Sequence, residues 1–405
     1  MPASLVAEYS CNLPMVTRKI QFDGRPVWAE ISLGAIGNNL RLIRQQVGPK
    51  RKVLAVVKAN AYGLGAVEIS KFLAREGVEA FGVTCSAEGI ELREAGIRRP
   101  ILLLTGFWPG EEERILRHNL TPAIARLDQL PLLDRAVKKI RGRSARKKFA
   151  FHLKIDSGMN RLGIAPGEIP RFLKLIADCP RLELTGTFTH FASADDFSSS
   201  QNQQQEKIFA EALAALRAAG VSPGIVHMAN SGAISARPDT WADMVRPGAV
   251  LYGYHQSFEP LEVRAEIEGK MHLQPCLSLR ARIISLREVP AGQGVGYGAK
   301  LRTERPSRIA VMAAGYADGI VRCRSNRGTV LVRGRSAPLV GIVSMDLSMV
   351  DVTDVPGAAV GDVVTIYGQD GDAAIHVNQV ARQIGTVTSD LLCSLGRRVP
   401  RFYLP

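Results

Sequence analysis

Lys58 closes an apolar run in VLAVVKANAYGLGA, and the end of such a run is where barrel enzymes gather their reactive groups. Taken alone, a lysine there also fits a solvated strand terminus. Gly63 and Gly65 supply only GxG, without the third glycine of a dinucleotide-binding turn. Further along, Lys154 and Asp156 lie in FHLKIDSGMNRLG, His190 in FTHFASAD, His227 to Ser231 in HMANSG, and Arg246 to Gly248 in VRPGAVLYG. Each group sits at the end of an apolar run, so polar side chains gather at five strand ends. The small residues after the last two runs suit a phosphate site in which backbone N–H groups and a hydroxyl receive a dianion. A set of core polar residues and loop glycines is the plainer alternative, and both stay open at this point.

These strand ends need a frame. From residue 28 to about 260, short apolar runs alternate with segments of helical periodicity, the rhythm of repeated βα units. The runs fall at 53–57, 80–84, 101–104, 122–125, 149–155, 184–190, 225–228 and 245–251. They are rich in Val, Ile, Leu and Phe without strict alternation, as parallel strands covered on both faces require. Residues 33–46, 66–76, 87–95 and 203–219 suit an outer ring of helices. After about residue 265 the texture changes to closely spaced β-like segments at 277–289, 308–313, 329–332, 339–343 and 362–367, separated by Gly and Pro. The expected architecture is α/β, an eight-fold (β/α) barrel of the TIM type followed by a second, mainly β domain. Its expected bounds are 1–27 for an N-terminal extension with a possible strand of the β domain, 28–262 for the barrel and 263–405 for the β domain.

Composition narrows the class. A chain of 405 residues with 46% hydrophobic content exceeds one domain and can bury ample cores. No stretch approaches the roughly 18–20 uninterrupted apolar residues of a membrane span, and the N-terminus lacks a basic region followed by an apolar one, so a cytoplasmic location away from the membrane is expected. Six widely spaced cysteines without a CxxC pair predict reduced thiols, and seven histidines without HxH or HExxH spacing predict no metal site. The net charge of +14 is partly concentrated in Arg135, Lys138, Lys139, Arg141, Arg143, Arg146, Lys147 and Lys148. Such a run could grip nucleic acid, but no nucleic-acid motif accompanies it, and a solvated helix face is the favoured reading.

Together with VGYGAK, GYADG, VGIVSMD and a terminal RRVP, the segments quoted above resemble the alanine racemase family in its own order, spanning residues 54–346 before the terminal motif. The resemblance implies a racemase that interconverts L-alanine and D-alanine with pyridoxal 5'-phosphate as cofactor, acting as a homodimer with shared active sites. In bacterial relatives the product usually serves peptidoglycan synthesis. Lys58 would hold the cofactor covalently and act as one base, with Tyr297 of VGYG as the other, supplied by the partner's β domain. A phenol with an ordinary pKa near 10 needs positive surroundings to act as a base, and His190 and Arg246 are the implied providers.

Tyr62, Asn230, Ser231 and the backbone at Gly248 and Ala249 would hold the phosphate. Arg246 would face the pyridine nitrogen with His227 beside it. A guanidinium does not readily give up a proton, so the ring would remain a weaker electron sink and reprotonation would outpace side reactions. Arg161 would bind the substrate carboxylate through its fork, assisted by Met345 of the other chain. Lys154, seven residues earlier, matches the family's carbamylated lysine; the alternative is an unmodified amine with Asp156 as the partner of Arg161. Asp195, Tyr316 and Arg322 match residues near the substrate's way in. Two positions depart from the family pattern, Arg397 where a tyrosine is common and Ile342 where an arginine is common, and both bear on substrate breadth. A racemase of serine or of broader specificity, and a decarboxylase on a similar barrel, are neighbouring readings. A non-catalytic barrel that binds pyridoxal phosphate is a reading of a different class, which Tyr297, Met345 and the length of the chain disfavour.

Overall fold

The computed structural model describes residues 24–141 and 147–405, which divide into two compact units. The N-terminal residues 1–23 of the expected extension, with Arg143 and Arg146 of the basic run, lie outside the described residues.

The larger unit runs from Ser32 to Cys276 and regains the chain at Tyr403–Pro405. After a first strand β1 (Val27–Ser32), its eight parallel strands are β2 (Lys52–Val56), β3 (Ala80–Val83), β4 (Ile101–Leu103), β5 (Thr121–Ile124), β6 (Phe149–Lys154), β7 (Leu182–Phe188), β8 (Ile225–His227) and β9 (Met244–Val245). They follow the order β8-β7-β6-β5-β4-β3-β2-β9. The backbone bonds Asp243 N–H to Val226 O at 3.0 Å and Arg246 N–H to Ala229 O at 3.0 Å bring the two ends together as a barrel. Helices follow the strands because their apolar residues recur at helical spacing; Leu33–Val47 turns Ile36, Leu40, Ile43 and Val47 inward and is capped by the Ser32 side chain.

The eighth strand is a correction. The apolar run 245–251 reads as one strand, but β9 stops at Val245 and the chain passes through Pro247 and Gly248 into a 3-10 helix, Ala249–Tyr252. Proline has no N–H for a ladder, and the Gly248 backbone is set to admit the Tyr62 hydroxyl. A buried 3-10 turn and a buried strand are equally apolar, so hydropathy does not separate them.

The smaller unit holds the described residues up to Ile31 and Leu277–Phe402. The chain therefore passes between units at 31/32, 276/277 and again at 402/403, where the composition suggests 27/28 and 262/263. The reason is pairing: β1 zips antiparallel onto β10 (Leu277–Val289), from Val27 opposite Ala281 to Ile31 opposite Leu277. The remaining strands are β11 (Gly294–Val295), β12 (Leu301–Arg302), β13 (Ser307–Met312), β14 (Thr329–Val332), β15 (Arg335–Val340), β16 (Ser348–Asp351), β17 (Val363–Asp370), β18 (Ala373–Ile375) and β19 (Arg401–Leu404). Pairing of β17 back onto β10 closes β10-β13-β16-β15-β14-β17 into a small antiparallel ring. Two register shifts in β10 supply the bends that such closure demands.

Candidate active site

The barrel unit collects its polar side chains at the C-terminal ends of its strands. Lys58 follows β2 and is exposed there. The next four residues, Ala59, Asn60, Ala61 and Tyr62, all have φ between +52° and +57°, a left-handed turn with no glycine in it. Such backbone costs roughly 1–2 kcal/mol per residue, so neighbours must hold it. They do: Glu88 accepts hydrogen bonds from the Ala59 and Thr84 amides at 2.7 Å each, and Asn60 Oδ1 accepts from Ala66 N–H at 2.8 Å. Gly65 is obligatory, because a Cβ there would overlap the Tyr403 hydroxyl, which itself donates to Leu64 O.

The turn delivers Tyr62 to the far side of the barrel mouth. A Cβ on Gly248 would lie 2.4 Å from the Tyr62 hydroxyl and 3.6 Å from Ser231 Oγ, and Ser231 Oγ accepts the Gly248 amide at 3.0 Å. Tyr62, Ser231 and Gly248 thus meet around one small space. Ser231 also opens the helix Ser231–Ala236, whose Asn230 side chain caps the Ala233 amide at 3.1 Å. The amides of Ser231 and Gly232 belong to the first turn and have no partner within the helix, and the Ala249 amide opens the next 3-10 turn. Asn230 acts here as a helix cap.

Arg246 is the electrostatic centre of the unit. Its buried guanidinium donates to Thr189 O at 2.8 Å and Met228 O at 3.1 Å, and reaches His227 Nδ1 at 3.2 Å and His190 Nδ1 at 3.1 Å. Burial lowers its pKa to about 9, which leaves it cationic at neutral pH. Burial first, and Arg246 second, hold His190 and His227 well below the ordinary histidine range. Lys154 is buried nearby; desolvation, then Arg246 and Arg161, push its amine down to about 8. Asp156 does not pair with the Arg161 guanidinium. Its carboxylate accepts the amides of Gly158, Met159 and Asn160 at 3.0 Å and of Arg161 at 3.2 Å, shaping the loop that carries Arg161. Asp195 is half-buried and lies beside Gly232.

The smaller unit brings its own candidates to one edge. Tyr297 sits on an exposed turn beside the 341–342 loop, and Tyr316 and Ala317 donate backbone bonds to Ser344 and Met345. Tyr297 is 72% exposed and Met345 52%, with Tyr316 and Leu347 also exposed, an unusual gathering of large apolar side chains at a surface. Arg322 is exposed on the neighbouring turn, Arg322–Arg324.

Residues 31–256 match the family description "Alanine racemase, N-terminal domain", and residues 276–403 match "Alanine racemase, C-terminal domain". The chain belongs to the alanine racemase family. An alanine racemase of Geobacter sp. (strain M21) is 40% identical over 388 residues, covering 94% of this chain and 100% of the relative. Among solved structures, alanine racemase of Clostridium difficile 630 superposes with a TM-score of 0.86 at 33% identity, covering 95% of this chain and 97% of that one. Alanine racemase from Bartonella henselae, solved with covalently bound pyridoxal phosphate, gives 0.81 at 32% identity, covering 94% and 99%.

The site fits such a cofactor on its own chemistry. One exposed lysine amine is available for the aldehyde, the hydroxyls of Tyr62 and Ser231 with the first-turn amides form a donor set for a dianion, and Gly248 leaves the space a Cβ would fill. Glu88 and His152 have no signal in the sequence. Glu88 looks like one more helix carboxylate, and a lone His in FHLKID looks like core. Among the described residues no group of three or more His, Cys, Asp or Glu could hold a metal ion, and no helix is long and apolar enough to cross a membrane. Arg135, Lys138, Lys139, Lys147 and Lys148 are exposed on and after the helix Gln129–Arg141, with Lys139 paired to Glu113.

Proposed function

We propose that this racemase interconverts L-alanine and D-alanine with pyridoxal 5'-phosphate held on Lys58, using Lys58 and Tyr297 as its two bases in a homodimer. The observation that carries the reading is the convergence, on one barrel face, of an exposed amine, an anion-binding cradle and a buried guanidinium. When bound, pyridoxal phosphate supplies a conjugated ring that draws electrons from the substrate Cα. Tyr62, Ser231 and the amides at Gly232 and Ala249 would bind its phosphate, with Asn230 holding the helix; the Gly248 amide is already bonded to Ser231 Oγ, so Gly248 would contribute the space beside them. Arg246, oriented by His227 and His190, would face the ring nitrogen as a cation with no proton to spare.

Lys58 takes or returns the Cα proton on one face. Tyr297 of a second copy serves the other, with Met345 of that copy beside the substrate. The exposed edge carrying Tyr297, Tyr316, Met345 and Leu347 supports this, because a phenol standing in water cannot act as a positioned base and apolar side chains of this size gain from being covered. Arg161 would receive the substrate carboxylate, with Asp195 near the way in and Arg322 brought there, like Tyr297, by the second copy. Carbamylation of Lys154 would convert a third cation beside Arg161 and Arg246 into an anion able to orient Arg161. An amine lowered to about 8 has the neutral fraction that reaction with carbon dioxide needs. The product feeds peptidoglycan precursor synthesis in the cytoplasm. Broader specificity is the second reading, favoured by Arg397, exposed where the family commonly has an aromatic side chain. A chirality-resolved assay of the cofactor-loaded protein on all twenty amino acids tests both. D-alanine formed from L-alanine supports the proposal, comparable turnover of serine supports the broader reading, and no change of configuration in any substrate overturns both.

A further inference from the structure

Two imidazole rings run in a line away from Arg246 toward the N-terminal end of the barrel. Arg246 Nη1 meets His227 Nδ1 at 3.2 Å, and His227 Nε2 meets His152 Nδ1 at 3.0 Å. His152 and His227 are both buried, and His152 borders a cavity of about 230 Å³ whose lining includes Leu54, Ala80, Ile225 and Met244. The His227 ring is clamped by Phe188, stacked at 4.7 Å and 9°. The His152 ring has its room only because residue 186, its register partner on β7, is glycine; a Cβ there would come within 2.5 Å of it.

The protons on this line follow from one fact. A guanidinium has five N–H donors and no acceptor, so His227 Nδ1 must accept. The buried His227 imidazole is neutral, so its single proton is on Nε2, and His152 Nδ1 must in turn accept from it. The same rule places the His190 proton on Nε2. We infer that His152 is a positioning residue: as the acceptor at the foot of the line it fixes the tautomer and ring orientation of His227, and through His227 the direction of Arg246. Without that acceptor the His227 N–H is buried with no partner, and the ring gains a reason to turn or switch tautomer. His227 would then present a donor to Arg246, and the guanidinium would lose its lateral support. Desolvation, with Arg246 next, pushes His152 down to about 4, so it stays an acceptor across the physiological range.

This inference rests on the proposal that Arg246 faces the cofactor ring, and the test separates the two. In holoenzyme labelled with 15N-histidine, nitrogen–proton correlation spectra distinguish the two tautomers. His227 and His152 are expected as neutral Nε2–H forms from pH 6 to 9. A proton on His227 Nδ1 overturns the inference whatever the activity, whereas absent racemisation with the expected tautomers overturns only the functional reading. His152→Asn and His152→Leu then divide hydrogen bonding from packing. Asn keeps an acceptor close to the place of Nδ1 but loses volume, while Leu keeps volume and loses the acceptor. His152→Leu is expected to lower kcat roughly 10- to 100-fold with KM within about twofold, and to disturb the His227 signal, while His152→Asn recovers most of both. The reverse ranking, with Leu near wild type and Asn impaired, would mean that His152 only fills space. Should His152→Leu not fold, His152→Asn with an unchanged His227 signal and near-normal kcat supports the inference, and a switched tautomer in that variant overturns it.

Discussion

The polar face of the barrel unit and the Tyr297 edge of the β unit differ in how completely the chain furnishes its own surroundings. Arg246 is buried with four partners, the strained turn after Lys58 is tied by Glu88 and Asn60, and Tyr62 meets Gly248 and Ser231 across a gap that any larger residue would fill. Tyr297 has 72% of its surface in solvent, and Met345 and Tyr316 in the same unit are exposed as well. One region is organised by contacts within its own unit. The other is a set of side chains whose stated chemistry needs a covering partner. The contrast teaches that cofactor binding and substrate turnover in this protein should be separable by mutation.

The largest expected effect is from Lys58→Ala. On the proposed roles it would remove the covalent anchor and one base together, so borohydride treatment of the loaded protein followed by peptide mass spectrometry should find no adduct, and racemisation should vanish in both directions. An adduct on another lysine would break the barrel half of the comparison. Tyr297→Phe should leave the cofactor adduct intact yet cost on the order of 10²–10⁴ in rate, the usual worth of a positioned general base. Mixing the two inactive chains then sharpens the point. Random reassociation makes about half the dimers mixed, each with one site intact in Lys58 and Tyr297, so about a quarter of wild-type activity should return. No recovery, with mixed dimers verified by mass spectrometry, would place both bases within one chain.

Glu88→Gln tests the strained turn. The amide keeps one acceptor where the carboxylate offers two, so we expect a loss of about 1–3 kcal/mol in denaturant unfolding and weaker cofactor retention. Unchanged stability would mean that the turn after Lys58 holds itself.

The smallest effect concerns Lys154. In bicarbonate-free protein its folded pKa of about 8 lies below the ordinary 10.5, so the unfolded chain binds more protons between those values. Stability should therefore rise with pH from 8 toward 10.5, the penalty being fully present below about 8, and Lys154→Met should flatten that rise. Adding 13C-bicarbonate should produce a carbamate resonance that is missing in Lys154→Met; its absence from both proteins would leave Lys154 an amine.

Much of the frame is legible because burial on both faces leaves a plain mark. Seven of the eight barrel strands begin and end within a few residues of their apolar runs, since a parallel strand covered by helices tolerates few polar side chains. The eighth is less legible, because a buried 3-10 turn has the same composition. Lys58, His190 and His227 stand out in the sequence by lying at the ends of those runs, and Arg246 and Gly248 as polar and small residues beside the last one. What the sequence does not reveal is which of them meet. Nothing in KANAY, which has no glycine, announces a left-handed turn; it exists because Glu88, 29 positions beyond Ala59, reaches the Ala59 amide. His152 looks like a core histidine until β6 and β8 bring it to His227 across 75 residues, opposite a glycine that leaves it room. The sequence by itself determined the parallel barrel, the β domain and the residue types of the site, because hydrophobic patterning is local and redundant. Only the tertiary structure decided the strained turn, the partners of His152 and His227 and the exposure of Tyr297. Those depend on single contacts between distant segments, and one such contact leaves no periodic trace in the chain.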